Sequence, residues 1–203
     1  MDVLGNGLST AKRCEEALSV RETLLATRRR IIDASANSIL VAQSNLANSY
    51  SDLKQHECAL RIRRDVYSGR LQLNGEEHAN TIIAALNYGL TLADLRRYGE
   101  LKTLMRKAIP MARRVLGESD DITLHSRTIY ALALYADPGA TLDDLRESVE
   151  TLAEIEVIAR RVLGGAHPVT AQIGLSLRES RAALSARDGV SAVRGALEAM
   201  NAT

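Results

Sequence analysis

Adjacent carboxylates are the residues of this chain with the plainest capacity for chemistry. They occur at Glu15-Glu16, Glu76-Glu77, Asp120-Asp121 and Asp143-Asp144, and two carboxyls converging on one cleft could share general acid and general base duty. Four histidines and two cysteines, Cys14 and Cys58, could add metal ligands. Spacing argues against both uses. Each carboxylate pair stands near the start of a stretch with helical periodicity, where negative charge is favoured by the helix dipole. His78 and His167 occupy matching positions in two repeated segments, and Asp120 fills the same slot in a third. A slot that accepts either His or Asp reads as a cap or a surface hydrogen bond. The cysteines show neither zinc spacing nor a disulfide framework, and the chain has no Gly-rich phosphate loop and no nucleophile elbow. The sequence therefore predicts no catalytic residue, no metal and no cofactor.

What positions these residues is a repeat. Ala112-Arg113-Arg114-Val115-Leu116-Gly117 returns as Ala159-Arg160-Arg161-Val162-Leu163-Gly164, with weaker copies ending at Gly75 and Asp33. The anchors at 33, 75, 117 and 164 are spaced by 42, 42 and 47 residues. A period in this range belongs to solenoids, in which each unit buries its apolar face by stacking on its neighbours. The predicted fold class is all-α, an α-solenoid of antiparallel helix pairs.

The unit from Ala34 to Gly75 shows the pattern. Ile39, Leu40, Leu46, Ala47 and Tyr50 form one apolar stripe at helical spacing, and Ser51 to Gln55 read as a helix end and short connection. Ala59, Ile62, Val66 and Leu73 form a second stripe, predicting a second helix from about His56 to Leu73. Gly75 closes it in the way glycine commonly ends helices. Ala47, Gly89 and Ala131 align as a small position, where two helices of one unit would cross closely. The predicted organisation is one continuous domain: 1–33 a partial repeat, 34–75, 76–117 and 118–164 full repeats, and 165–203 a terminal first helix plus a capping helix opened by Asp188. The third repeat carries an insertion near 137–141, where Asp137-Pro138-Gly139-Ala140 signals a turn and Thr141 an N-cap. Arg178 departs from the small-residue pattern, which suits a terminal unit.

Val162-Leu163-Gly164-Gly165-Ala166-His167-Pro168 resembles the junction of kinesin light chain-type tetratricopeptide repeats. Those repeats also carry an Asn-Leu-Ala phrase on the first helix, matched by Asn45-Leu46-Ala47 and in part by Asn87-Tyr88-Gly89, and their period is the longer one counted above. The resemblance covers roughly residues 4 to 186. HEAT and armadillo repeats share the period range, but the small-residue crossing and the Leu-Gly…His-Pro junction separate them from this chain. The resemblance implies a right-handed superhelix whose concave wall is lined by first helices. On that wall it places Asn45, Asn48, Ser51 and Asp52, then Asn87, Leu90 and Asp94, then Ile129, Leu132 and Tyr135. Groove asparagines of such arrays resemble those that bond the backbone of an extended peptide, since a carboxamide offers donor and acceptor together.

The implied function is a non-catalytic scaffold that binds a peptide segment of a partner protein. The alternative is a self-assembling or structural fragment of a longer array whose activity resides in another module, associating through an open N-terminal end that presents Leu4 and Leu8. A net charge of +1 gives no pull toward nucleic acid, and 3% aromatics without Trp or Phe supply few stacking platforms for single strands. No apolar run reaches the length of a membrane span. These features predict a cytoplasmic protein without nucleic-acid or membrane partners.

Overall fold

The computed structural model describes residues 14–30 and 35–201, with side chains described for 19–27 and 35–189. Leu4 and Leu8, the predicted open end, lie outside the described residues. The chain divides into two compact units, Met1–Leu95 and Arg96–Thr203. In the first, α1 (Cys14–Arg30), α2 (Ala36–Asp52), α3 (His56–Asn74) and α4 (Ala79–Asp94) pack in succession. In the second, α5 (Tyr98–Val115), α6 (Asp121–Tyr135), α7 (Leu142–Leu163) and α8 (Pro168–Asn201) do the same, and α8 also touches α6.

Caps start the helices where the sequence places them. Ser35, His78 and Asp120 adopt extended backbone and accept from the amides of Ser38, Asn80 and Ile122. Thr141 and Asp144 bond reciprocally in a capping box, the side chain of each accepting from the other's amide. The paired carboxylates thus sit at helix starts, and His167 Nδ1 accepts from the Val169 amide at 3.3 Å. Between repeats the chain turns at Gly75, Gly117 and Gly164, with φ of 80°, 97° and 86°. Within repeats it turns at Lys54 (φ 60°) and Arg96 (φ 55°), a left-handed backbone that costs an ordinary residue about 1–2 kcal/mol.

The small positions lie inside. Ala47 and Ala131 are fully buried and Gly89 is buried. Leu25, Ala42 and Leu46 form one core cluster of the first unit, while Leu124, Ala131, Leu152, Ile155, Ala159, Ile173 and Leu177 form one in the second. Leu73, assigned to the buried stripe of the second helix, is instead 48% exposed. It falls in the last turn of α3, beside an open apolar depression with Ala36, Ile39, Leu40, Gly69 and Gln72.

The insertion forms a tight loop: the Asp137 carboxylate accepts from the Gly139 amide at 2.9 Å and from Lys102 Nζ at 3.0 Å. The predicted break before Asp188 does not occur, and α8 runs unbroken to Asn201. No proline interrupts the stretch, and Gly189 inside a helix costs only about 1 kcal/mol relative to alanine. Ala171, Leu175, Arg178 and Arg181 recur along one face of α8 and are exposed, whereas Thr170, Ile173, Ser176, Leu177 and Ser180 are buried. Arg178, at the position aligned with the small residues, is thus exposed where Ala47, Gly89 and Ala131 are buried.

Candidate functional site

In the first unit, α2 and α4 stand as neighbouring first helices backed by α3. Asn45, Asn48 and Asp52 follow one another at helical spacing on α2, and Asn87, Leu90 and Asp94 do so on α4. Asn45, Ser51, Asn87 and Leu90 are half-buried; Asn48, Asp52 and Asp94 are exposed. A small recess opens among them, lined by Ser44 and Asn48 of α2, Ala84 and Asn87 of α4, and Arg63 and Val66 of α3.

Arg63 is the residue that sequence reasoning missed. Its Nη1 donates to the Asn87 carbonyl oxygen at 3.0 Å and to Thr91 Oγ1, and its Nη2 donates to Asn48 Oδ1 at 3.1 Å. One repeat earlier, Arg21 Nη1 donates in the same way to the Asn45 carbonyl oxygen and to Ser49 Oγ. The signal was present in the chain as the 42-residue recurrence of Arg21 with Arg63 and of Ser49 with Thr91. Burial lowers the Arg63 pKa, and the negative charges of Asp94 and Asp52 oppose that shift. His56 Nδ1 lies 3.3 Å from Asp94 Oδ2 but without hydrogen-bond geometry, a loose contact rather than a directed one.

The remaining predicted wall residues lie on α6 in the second unit. Ile129 is 6% exposed, while Leu132 and Tyr135 are half-buried. Tyr135 packs against the core of its unit and donates to Glu179 Oε2 at 2.8 Å. Burial first, then that bond, pushes its pKa up to about 12. Among the described residues no three His, Cys, Asp or Glu side chains gather as a metal site, and no helix is long and apolar enough to cross a membrane.

The sequence profile of the tetratricopeptide repeat matches residues 39–80 and 81–121. Residues 39–121 carry two tetratricopeptide repeats. The fold of the chain matches the crystal structure of the Podosopora anserina kinesin light chain-type protein with nearly identical TPR-like repeats at a TM-score of 0.76 and 18% identity, over 99% of this chain and 93% of that one. BtubC (BKLC) from P. vanneervenii matches at a TM-score of 0.62 and 12% identity, over 92% and 79%. The Rap conjugation gene regulator of plasmid pLS20, in complex with the Phr* peptide, matches at 0.56 and 14%, over 87% and 51%. Among curated proteins none matches at a significant level of sequence similarity. The all-α fold of antiparallel helix pairs expected from the junction phrase and the period is thus the fold observed, similar to that of kinesin light chain-type repeats and, among the described residues, without strands. Tetratricopeptide arrays are protein-interaction scaffolds as a class.

Proposed function

We propose that the wall formed by α2 and α4 binds an extended peptide segment of a partner protein and that the chain acts as a non-catalytic cytoplasmic scaffold. The observation that carries this reading is the duplication of Asn45 and Asn87, half-buried at equal positions on successive first helices, with Asn87 lining a small recess between them. A carboxamide pairs with both the N–H and the C=O of a peptide unit, so a ladder of them suits main-chain recognition without demanding one side-chain sequence. A fold neighbour in complex with a peptide is consistent with such use.

The test is an array of random-sequence peptides probed with the purified chain. Binders should lose roughly tenfold or more in affinity when Asn45 and Asn87 are both replaced by alanine, because two peptide-directed hydrogen bonds are removed. The thermal transition should hardly move, since neither carboxamide is fully buried. Unchanged affinity in the double variant would dismiss this wall as the site.

A further inference from the structure

Three positions change together along the chain. Arg21, Asn45 and Ser49 recur 42 residues later as Arg63, Asn87 and Thr91. In both copies the arginine bonds the main-chain carbonyl oxygen of the asparagine and the hydroxyl one turn on. A further 42 residues along stand Met105, Ile129 and Ala133, all buried. Where the guanidinium is replaced by a thioether of similar length, the hydroxyl and the carboxamide are lost as well. The arginine and the hydroxyl are thus kept or discarded together, because a poorly solvated guanidinium facing alanine would lose one of its acceptors.

Arg63 makes one contact beyond this set, and it reaches the wall. Its Nη2 donates to Asn48 Oδ1. A guanidinium has donors and no acceptor, so the Asn48 carboxamide must turn its oxygen inward to Arg63. Its amino group then faces outward from an exposed residue. The three acceptors around Arg63 come from α2 and α4, so the guanidinium links both first helices to α3 and holds them at one separation.

We infer that Arg63 is a positioning residue that fixes Asn48 as a pure donor, so that this point of the wall receives a main-chain carbonyl oxygen of the bound segment. The inference rests on the peptide-binding reading of the wall. It assigns a polarity that the sequence leaves open: Asn48 contributes N–H groups only, and a ligand group that is itself a donor is rejected there.

Two variants separate this role from mere support of the fold. Asn48→Asp keeps an acceptor for Arg63 but presents an acceptor where the amino group stood. The pair Arg63→Met and Thr91→Ala copies the arrangement already used at Met105 and Ala133, so it should fold, while releasing Asn48. The probe is a fluorescein-labelled peptide resynthesised from the best array binder. Both variants should lower its affinity roughly tenfold, the worth of a hydrogen bond to a poorly solvated group. Nuclear magnetic resonance of the Asn48 side-chain amide should show an ordered group in the parent and a mobile one in the Met–Ala pair. Wild-type affinity in Asn48→Asp overturns the inference, as does an equally ordered Asn48 amide without Arg63. An array that yields no binder removes the peptide reading itself, whereas a binder that tolerates both variants removes only the role given to Arg63 and Asn48.

Discussion

Ser180 Oγ donates to Ser148 Oγ at 2.9 Å, and Ser148 Oγ donates in turn to the carbonyl oxygen of Ala131 at 3.0 Å. This relay joins α8, α7 and α6, and both hydroxyls are fully buried. It passes through the close crossing of α6 and α7, since only a small residue at 131 lets the backbone carbonyl come within reach of the neighbouring helix. Replacing Ser148 with alanine leaves a buried hydroxyl and a carbonyl lone pair without their partner. The second unit should lose about 1–3 kcal/mol, read as a lower urea midpoint with an unchanged slope. An unchanged midpoint would show that the relay adds nothing to stability.

Overpacking the same crossing should be costlier than altering the wall. Ala131→Leu inserts three carbons where exposure is zero, and the expected loss is about 1–3 kcal/mol or more. Asp52→Ala, also on the wall, should stay within about 0.5 kcal/mol because residue 52 is exposed. Thermal unfolding of the two variants side by side checks the contrast, and equal losses would contradict it.

Acid should act through the insertion loop. The Asp137 carboxyl is held below its ordinary value of 3.8, first by the Gly139 amide and then by Lys102. A carboxylate with a lowered folded pKa stabilises above its unfolded pKa, and that contribution disappears as pH falls through the folded value. Stability of the second unit should therefore decline below about pH 4, and Asp137→Asn should flatten part of this decline. Chemical denaturation across that range measures it, and identical acid limbs in both proteins would exclude Asp137 as a contributor.

Alkali tests Tyr135. Its pKa, raised from 10.0 to about 12, means that the phenol form is favoured in the folded chain. The associated stabilisation is complete below pH 10 and fades as pH climbs toward 12. Tyr50, bonded to Glu22, is likewise raised to about 12, so phenolate absorbance should show late-ionising tyrosines of which one is missing in Tyr135→Phe. A titration in which the variant loses an ordinary tyrosine instead would reject the assignment.

Much of this architecture is legible from residue spacing, for identifiable reasons. The recurrent phrase that ends in glycine marks turns that need a left-handed backbone at Gly75, Gly117 and Gly164, and His78, Asp120 and Thr141 announce helix starts through their side-chain acceptors. Such signals are local and survive without tertiary knowledge. Arg63 escaped notice because a lone arginine in a charged helix looks solvated. Its burial depends on Asn48, Asn87 and Thr91, which lie between 15 and 28 residues away. The run of α8 past Asp188 was missed for a related reason. Asp188-Gly189 has the composition of a helix boundary, yet no steric bar ends the helix there.

Lys54 and Arg96 occupy the same register 42 residues apart, and each bends its helix hairpin through a backbone conformation that suits glycine. Exchange of Lys54 for glycine would recover about 1–2 kcal/mol of steric cost and give back about 0.4–1 kcal/mol through a looser unfolded chain. The two elbows therefore hold a modest thermal reserve. A protein engineer could draw on it without touching any residue of the asparagine wall.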